Sequence, residues 1–323
     1  MLPTLLTSRL KTILGAHYDS VISSFAKDRK WALRLNLLKT DGADVMEEFK
    51  SKGIILESFA GIDRSYVFDR EYEYAIKGTQ SFYEGKIYLQ SIASQLPALV
   101  LDPEAGESIL DVCAAPGSKT TQLAMMMENR GSIYAIEQNQ IRYDRLMHNC
   151  VLQWATIVEW VKMDARHWLA DTGAAVTVID DTADIEFDHI LLDAPCSAEG
   201  RIASSNEKTY GFWSLDNIIK KAELQSELLQ VSWEHLRVGG IIVYSTCTLA
   251  PEENEGVIAE FLLTHEDATL EDIDIGLSDR SWWTPGLASF GKNTNYPDIL
   301  AKAVRILPSD ETEGFFIAKI RKI

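Results

Sequence analysis

Residues 107–124 read ESILDVCAAPGSKTTQLA, and this stretch decides the fold. A run of apolar residues ends at Asp111, a turn of small residues follows, and a helical pattern begins near Ser118. Apolar runs that finish on a polar residue recur in GSIYAIE, ATIVEWVKMD, FDHILLDAP and GGIIVYSTC, whose final polar residues are Glu137, Asp164, Asp193 and Cys247. From Asp111 the successive spacings are 26, 27, 29 and 54 residues, and 26 to 29 residues is the length of one strand–helix unit. This rhythm predicts an α/β fold with a doubly wound, mostly parallel sheet.

The composition indicates an ordinary globular chain of about two domains. Of 323 residues, 46% are hydrophobic and 24% charged, which excludes a disordered chain and a disulfide-stapled miniprotein. No apolar run approaches the ~18 residues of a membrane span. The first residues, MLPTLLTSRLKTILG, lack the pattern of a cleaved leader, so we expect a cytoplasmic protein that does not enter a membrane.

The net charge of −17 argues against a protein that coats nucleic acid through bulk charge. The charge is unevenly distributed, however. Residues 1–100 hold 13 Lys and Arg against 12 Asp and Glu, whereas residues 101–323 hold 18 against 36. The nearly neutral N-terminal part is therefore the better candidate for a polyanion-binding region. Its cations gather around Trp31 and Asn36, and they are Arg29, Lys30, Arg34 and Lys39. The alternative is a solvated surface with scattered cations.

Residues 1–80 have the pattern of a small α/β module, and we expect a domain boundary near residue 80, with residues 81–323 as the second domain. A helix is predicted from Leu5 to Gly15, WALRLNLL is predicted as a strand and ADVMEEFKSKG as an amphipathic helix. A longer helical stretch, SFYEGKIYLQSIASQLPALVL, is predicted to stop at Asp102 and Pro103.

The C-terminal half contains a strong helical pattern, SLDNIIKKAELQSELLQVSWEHLRVGG, and Arg237 and Gly239 are predicted to mark its end. The segments AVRILP and GFFIAKIRKI are predicted as closing strands.

The turn after Asp111 predicts a small-molecule site. Small residues let a ligand approach the backbone, and the first amides of the following helix face an anion well. A triphosphate-binding loop is excluded because Ser118 precedes Lys119 and Val112 stands where the earlier glycine is needed. The GxGxxG dinucleotide signature is missing too.

The carboxylates of the next two units extend this site. Glu137 lies about 20 residues beyond the turn, the place from which a carboxylate accepts hydrogen bonds from ribose hydroxyls. Asp164 could meet an adenine edge. Either residue alone is more often a helix cap or a solvated loop residue, but the in-phase series favours binding. A ligand with a ribose, an adenine and a carboxylate but no phosphate is S-adenosylmethionine.

The four cysteines are far apart and form no CxxC pair, so a zinc ribbon, a redox dithiol or another metal site is not expected. Cys113 and Cys150 fit the behaviour of small hydrophobic residues. Cys196 and Cys247 each follow a strand end, where a catalytic thiol is favoured. A thiolate is the natural nucleophile for an electron-poor ring carbon, and Asp193 beside it could act on a ring nitrogen.

With these residues the chain resembles the RNA cytosine-C5 methyltransferases of the Nop2/Sun family (NSUN, RsmB/RsmF). The resemblance covers roughly residues 30–323. Its motifs are RKWALRLNLLKT, YLQSIASQLPALVLDPEAGESILDVCAAPGSKTTQLA, DAPCSAEG, the LQ...LL helix, YSTCTLAPEENE and TEGFFIAKIRK. The family implies a small RNA-binding domain of RRM-like character before a Rossmann-type, S-adenosylmethionine-dependent methyltransferase domain.

The resemblance also implies roles for individual residues. Cys247 falls on the nucleophile, Cys196 on the second cysteine that assists product release, and Asp193 and Lys119 on the active site. The cofactor-binding positions are Cys113, Ala114, Ala115, Pro116, Gly117, Ser118, Lys119, Glu137, Asp164 and Asp193. The implied reaction adds Cys247 to C6 of a cytosine turned out of its stack, while Asp193 stabilises a proton at N3 and C5 takes the methyl group.

Some positions depart from the family pattern. Ser118 and Ala198 stand where glycine is common, and Ser309 follows Pro308 where histidine is common. The chain also ends without the C-terminal RNA-binding modules of longer bacterial members. Target recognition is then expected to rest on the N-terminal part and the catalytic face, or on a partner.

We expect a monomer that acts on RNA, with rRNA or the small ribosomal subunit favoured over tRNA because of the RsmF-like turn. Two other functions stay open. One is a DNA cytosine methyltransferase that uses Cys196, and the other is a nonenzymatic RNA-binding or assembly factor on the same fold.

Overall fold

The computed structural model describes residues 2–59, 61–170, 186–274, 282–291 and 294–323. Its helices are α1 Thr4–Leu14, α2 Tyr18–Phe25, α3 Ala43–Ser51, α4 Glu73–Lys77, α5 Gln80–Tyr83, α6 Ile92–Leu101, α7 Ser118–Met126, α8 Gln140–Leu152, α9 Ala165–Ala170, α10 Leu215–Glu234 and α11 Glu255–Thr264. Its strands are β1 Trp31–Leu35, β2 Glu57–Ser58, β3 Ser65–Phe68, β4 Ile87–Leu89, β5 Ser108–Asp111, β6 Ser132–Ile136, β7 Val158–Val161, β8 Phe187–Asp193, β9 Leu236–Thr246, β10 Ala268–Leu270, β11 Trp283–Pro285, β12 Ser289–Phe290, β13 Thr294–Asn295, β14 Val304–Ile306 and β15 Phe315–Lys322.

The larger sheet carries the strand ends identified in the sequence. Within the described residues its order is β11-β14-β15-β9-β8-β5-β6-β7, and β10 pairs with the far end of β15. The five strands from β5 to β9 are parallel to their neighbours, as predicted. The strands β10, β11, β14 and β15 add antiparallel pairings. The sheet is therefore mixed, because chain segments after β9 return by short connections rather than through crossover helices.

Alternating side chains bury both faces of this sheet. In β9, Ile241 and Val243 join the core under α6, α7 and α8, whereas Ile242 and Tyr244 join the core under α10 and α11. Since both faces are covered by helices, the strands read as nearly continuous apolar runs, which is why they stand out in the sequence.

The smaller sheet has the order β2-β3-β1-β4 and is antiparallel throughout. Helix α3 packs on one face, where Val45 and Phe49 contact Leu33 and Leu35. The opposite face lies against the larger domain: Ala32 and Val67 belong to the same core as α6 and α7. Because β4 spans Ile87–Leu89, a division at residue 80 runs through this sheet.

The two N-terminal helices pack on the catalytic side of the molecule. Leu6 and Leu10 of α1 and Phe25 of α2 share a core with Leu249 and Leu307. This apolar contact fixes the start of the chain against the loops that follow β9 and β14.

Three predicted elements are wrong. The stretch 81–101 is not one helix, because Gly85 takes a left-handed φ of +68° against the backbone of Leu152 and β4 then pairs with β1. Only α6 is helical there, and it ends before Asp102 as predicted. The helix α10 ends at Glu234, and Arg237 and Gly239 lie within β9, where Gly239 takes a φ of +81°. The N-terminal helix is split into α1 and α2 by a turn at Gly15.

Candidate active site

A cleft of about 650 Å³ lies where the parallel strands end. It is bounded by the loops after β5, β8 and β9 on one side and by the β1 and β4 segments of the smaller sheet on the other. Its walls include Asp111, Lys119, Asp193, Cys196 and Cys247. The carboxyl ends of a parallel sheet meet at one edge, so residues far apart in the sequence converge there.

The two thiols predicted to be catalytic lie side by side, with 3.1 Å between Sγ of Cys196 and Sγ of Cys247. Their pKa values move in opposite directions. The hydrogen bond with Cys196 lowers the pKa of Cys247, burial opposes this and the positive charge of Arg201 adds to it. The same hydrogen bond and burial raise the pKa of Cys196 well above its ordinary value. Cys247 is therefore the better nucleophile of the pair.

The carboxylate of Asp193 is held from two sides. Lys119 Nζ contacts Asp193 Oδ2 at 2.6 Å and Ser94 Oγ at 2.9 Å, and Ser245 Oγ donates to Asp193 Oδ1 at 2.8 Å. Lys119 is almost fully buried, so its charge is screened little by solvent. This pair presents one fixed carboxylate to the cleft beside the two thiols.

A buried polar network supports the two cysteine loops from below. Oε2 of Glu253 accepts from the Ser197 amide at 2.9 Å and from Gln225 Nε2 at 2.9 Å. Ser197 Oγ and Thr248 Oγ1, one from each loop, are 2.7 Å apart. Burial raises the pKa of Glu253 to about 7. Our sequence analysis assigned Glu253 no role, although it lies in the EENE segment that follows Cys247.

The turn after β5 forms the wall of the cleft next to the predicted cofactor positions. The lining includes Cys113, Ala114, Ala115, Pro116, Ser118 and Lys119. Gly117 does not line the cleft but begins α7 with a φ of +99°, and a Cβ there would lie 3.1 Å from Leu146. Asp111 is buried and accepts from Thr120 Oγ1 at 2.7 Å, and burial raises its pKa to about 7.

The remaining two cofactor candidates lie away from the lining of the cleft. Glu137 is buried, accepts from the Asn139 amide at 2.8 Å and pairs with Arg142 at 3.1 Å. Arg142 itself lines the cleft and donates to the Ala115 carbonyl at 2.5 Å. Asp164 follows β7 and is bound by Arg166 at 2.7 Å, which lowers its pKa. The structure thus links Glu137 to the cleft through Arg142 and does not do so for Asp164.

The other two cysteines lie apart from the thiol pair. Cys150 is fully buried in the core, and burial raises its pKa to about 12, which fits its prediction as a small hydrophobic residue. Cys113 lines the cleft, and burial together with nearby Asp111 raises its pKa.

The basic cluster predicted in the N-terminal part divides into two groups. Arg34, Asn36 and Lys39 join the two sheets and do not face solvent as a polyanion surface. Arg34 is buried and donates to Gln90 Oε1, the Ser118 carbonyl and Thr121 Oγ1. Asn36 and Lys39 donate to backbone carbonyls on both sides of the junction.

Arg29, Lys30 and Trp31 form the second group and line the cleft. Two further residues at this rim received no role in our sequence analysis: Arg201 Nε lies 3.2 Å from Glu313 Oε2, and Arg29 lies 3.9 Å from the same carboxylate. Their signal in the sequence is weak, because they come from segments about 110 and 280 residues apart.

Two of the departures from the family pattern have local consequences. Ala198 adopts a φ of +61°, the left-handed region in which a Cβ is unfavourable. Ser309 closes a turn in which its hydroxyl accepts from the amides of Glu311 and Thr312, and its carbonyl accepts from Arg29.

Among the described residues, no group of three or more His, Cys, Asp or Glu side chains could hold a metal ion. In the same part of the chain, no helix is long and apolar enough to cross a membrane.

Comparison with known proteins gives consistent results. The family model "16S rRNA methyltransferase RsmB/F" matches residues 98–321. The chain is 35% identical over 292 residues to a tRNA (cytosine(49)-C(5))-methyltransferase of Pyrococcus abyssi, covering 90% of this chain and 88% of the relative. It is 33% identical over 313 residues to a ribosomal RNA small subunit methyltransferase F of Escherichia coli, covering 94% of this chain and 60% of the relative. The chain thus spans less than two thirds of this longer relative.

Solved structures share the fold. A methyltransferase homolog protein from Pyrococcus horikoshii superposes with a TM-score of 0.83 at 32% identity, covering 99% of this chain and 95% of that one. NSun6 from the same organism superposes with a TM-score of 0.78 at 24% identity, covering 99% of this chain and 98% of that one. These matches show the Rossmann-like methyltransferase fold.

Proposed function

The chain belongs to the 16S rRNA methyltransferase RsmB/F family, and from this membership we propose that it transfers a methyl group to C5 of a cytosine in RNA. One observation carries the proposal: the Cys196 and Cys247 sulfurs lie 3.1 Å apart in the cleft beside the Lys119–Asp193 pair. A nucleophilic thiol next to a fixed carboxylate is the arrangement that addition to a pyrimidine ring requires.

We propose S-adenosylmethionine as the methyl donor. The residues fit it, because the cleft of about 650 Å³ lies within the usual range for small-molecule sites and its wall is built of Ala114, Ala115 and Pro116. The turn from Cys113 to Lys119, together with Asp193 and with Glu137 through Arg142, would hold the donor. Asp164 is proposed at the adenine end, on the family pattern alone. When bound, the donor supplies an electrophilic methyl group on a sulfonium.

The residues of the chain then activate the cytosine. Cys247 adds as a thiolate to C6, forming an S–C6 bond, and the electrons of the C5=C6 bond move into the ring and make C5 nucleophilic. Asp193 stabilises the proton at N3, and Lys119 holds Asp193 in place. After methylation, loss of the C5 proton and departure of Cys247 restore the aromatic ring. Cys196, the thiol with the raised pKa, is placed to assist that departure.

The N-terminal part is proposed as an RNA-contacting module with an RRM-like order of strands. Helix α3 between β1 and β2, and α4 and α5 between β3 and β4, support this comparison. An RRM stacks bases on its open sheet face, but here that face is covered, with Ala32 and Val67 in the core. We therefore propose that contact is made at the cleft rim by Arg29, Lys30 and Trp31.

The RNA class follows less directly from the comparisons. The tRNA-acting relative matches over most of its length and the rRNA-acting relatives over about 60%, so we propose rRNA and tRNA as the two classes to compare. The DNA cytosine methyltransferase alternative needs Cys196 as the nucleophile, and the raised pKa of Cys196 disfavours it.

The test is transfer of labelled methyl groups from S-adenosylmethionine to unmodified rRNA, tRNA and intact small subunits, followed by nucleoside analysis. Label in 5-methylcytosine supports the proposal and identifies the RNA class. Absence of label from all three, with donor binding shown separately, would contradict it and favour the nonenzymatic assembly factor.

A further inference from the structure

Three chain segments meet beside Cys247, and glycine fixes their meeting point. The Gly200 amide donates to the Cys247 carbonyl at 3.0 Å, and the Gly314 amide donates to the Gly200 carbonyl at 3.0 Å. A Cβ on Gly200 would lie 2.0 Å from the Gly314 carbonyl oxygen, so only glycine permits this contact. The segments 199–201 and 313–314 are therefore locked to each other and to the backbone of the nucleophile.

This lock brings the next side chains together on the cleft side. Arg201 follows Gly200 and Glu313 precedes Gly314, and Arg201 Nε lies 3.2 Å from Glu313 Oε2. Glu313 also accepts from Ser91 Oγ at 3.2 Å. Arg201, Glu313 and Cys247 all line the cleft. The guanidinium is thus held beside the thiol by a carboxylate that is itself anchored.

The charges around Cys247 leave one cation in position to act on it. Cys196 contacts its sulfur, and Asp193 opposes ionisation but is paired with Lys119 at 2.6 Å. Glu313 also opposes ionisation. Beneath the loop, Glu253 faces Cys196. Lys119 is engaged with Asp193 and Ser94.

We propose that Arg201 is the positioning cation that keeps Cys247 ionised for attack, and that Glu313 holds Arg201 in place and moderates its charge. The interaction is mutual: Cys247 is the first of the charges that raise the pKa of Arg201, and Arg201 lowers the pKa of Cys247. The proposal deepens the proposed function and rests on Cys247 as its nucleophile.

The experiment measures ionisation of Cys247 directly, without turnover. Full-length protein is treated with iodoacetamide at a series of pH values, without RNA or donor, and alkylation of the Cys247 and Cys196 peptides is followed separately by mass spectrometry. In Arg201→Gln the alkylation midpoint of Cys247 is expected to rise by about one pH unit, which leaves roughly tenfold less thiolate at neutral pH. Arg201→Lys keeps the charge and should lie nearer the unmodified protein.

Two matched variants sharpen the test. Glu313→Gln removes a negative charge and should move the midpoint downward, opposite to Arg201→Gln. Arg29→Gln removes a neighbouring cleft cation and should leave the midpoint unchanged. An unchanged midpoint in Arg201→Gln would overturn the proposal, and weaker RNA binding in that variant would then identify Arg201 as a phosphate contact. If no RNA is methylated but the midpoints shift as described, the proposed function fails while the role of Arg201 stands.

Discussion

The buried carboxyl of Glu253 makes stability depend on pH in a way that one substitution should remove. Glu253 is fully buried, and burial raises its pKa from 4.5 to about 7. Since the folded chain binds this proton more tightly than the unfolded chain, folding loses stability as pH rises from about 4.5 through about 7. A shift of this size corresponds to about 3 kcal/mol once both forms are ionised.

Glu253→Gln should abolish this loss because glutamine does not ionise. Its side-chain oxygen can still accept from the Ser197 amide and Gln225. The free energy of unfolding of the variant, minus that of the unmodified protein, should therefore grow by about 2 kcal/mol between roughly pH 5.5 and pH 8.5. Asp111, whose pKa is also raised to about 7, is present in both proteins, so its contribution cancels.

Urea unfolding at several pH values, followed by tryptophan fluorescence, measures this difference. Glu253→Ala is the matched control: it leaves two buried donors without an acceptor and should lose about 2 kcal/mol or more even at the acidic end. A difference between the Gln variant and the unmodified protein that stays constant with pH would refute the reasoning, because it would show that Glu253 titrates alike in both states.

Further predictions concern the thiols, the strained loop and the junction. Cys247→Ala should lower methyl transfer on the order of 10³-fold or more while donor binding, measured by calorimetry, persists, and retained turnover would refute its role as nucleophile. Cys196→Ala should accumulate a covalent protein–RNA adduct, seen as a slow band on a denaturing gel, and lack of any adduct during turnover would count against the release role. Ala198→Gly should raise the free energy of unfolding by about 1 kcal/mol in urea, since glycine accepts the left-handed conformation; a loss of stability would contradict the strain. Arg34→Gln should cost about 3 kcal/mol, because buried acceptors lose their donor, and unchanged stability with weakened RNA binding would show that this face contacts RNA.

The sequence predicted the parallel half of the larger sheet well because its strands are buried on both faces. Apolar runs ending at Asp111 and Asp193 need no knowledge of tertiary contacts to be recognised. The segment 81–101 was different, since its strand β4 is only three residues long and is stabilised by pairing with β1. A short strand of that kind has no periodicity to distinguish it from a helix.

The site was predictable where one residue type has one chemical use and not where charges serve two purposes. The positions of Cys196 and Cys247 after neighbouring strands predicted the thiol pair, and the sulfurs are 3.1 Å apart. Cations gave a mixed result: Arg34 and Lys39 bind carbonyls at the junction, whereas Arg29 lines the cleft. Charge counts cannot separate these cases, because burial decides whether a cation faces RNA or a carbonyl. The division at residue 80 stays a prediction for the domain boundary.

The central claim is covalent attack by Cys247 on C6 of an RNA cytosine. RNA in which cytosine is replaced by 5-fluorocytosine tests it most directly, because fluorine at C5 cannot leave as the proton does and the adduct is trapped after methyl transfer. Protein, this RNA and S-adenosylmethionine are incubated together, and the crosslinked peptide is identified by mass spectrometry. The account predicts a stable adduct on the peptide that contains Cys247. An adduct on Cys196 instead, or methylation of ordinary RNA with no trapped adduct, would contradict it.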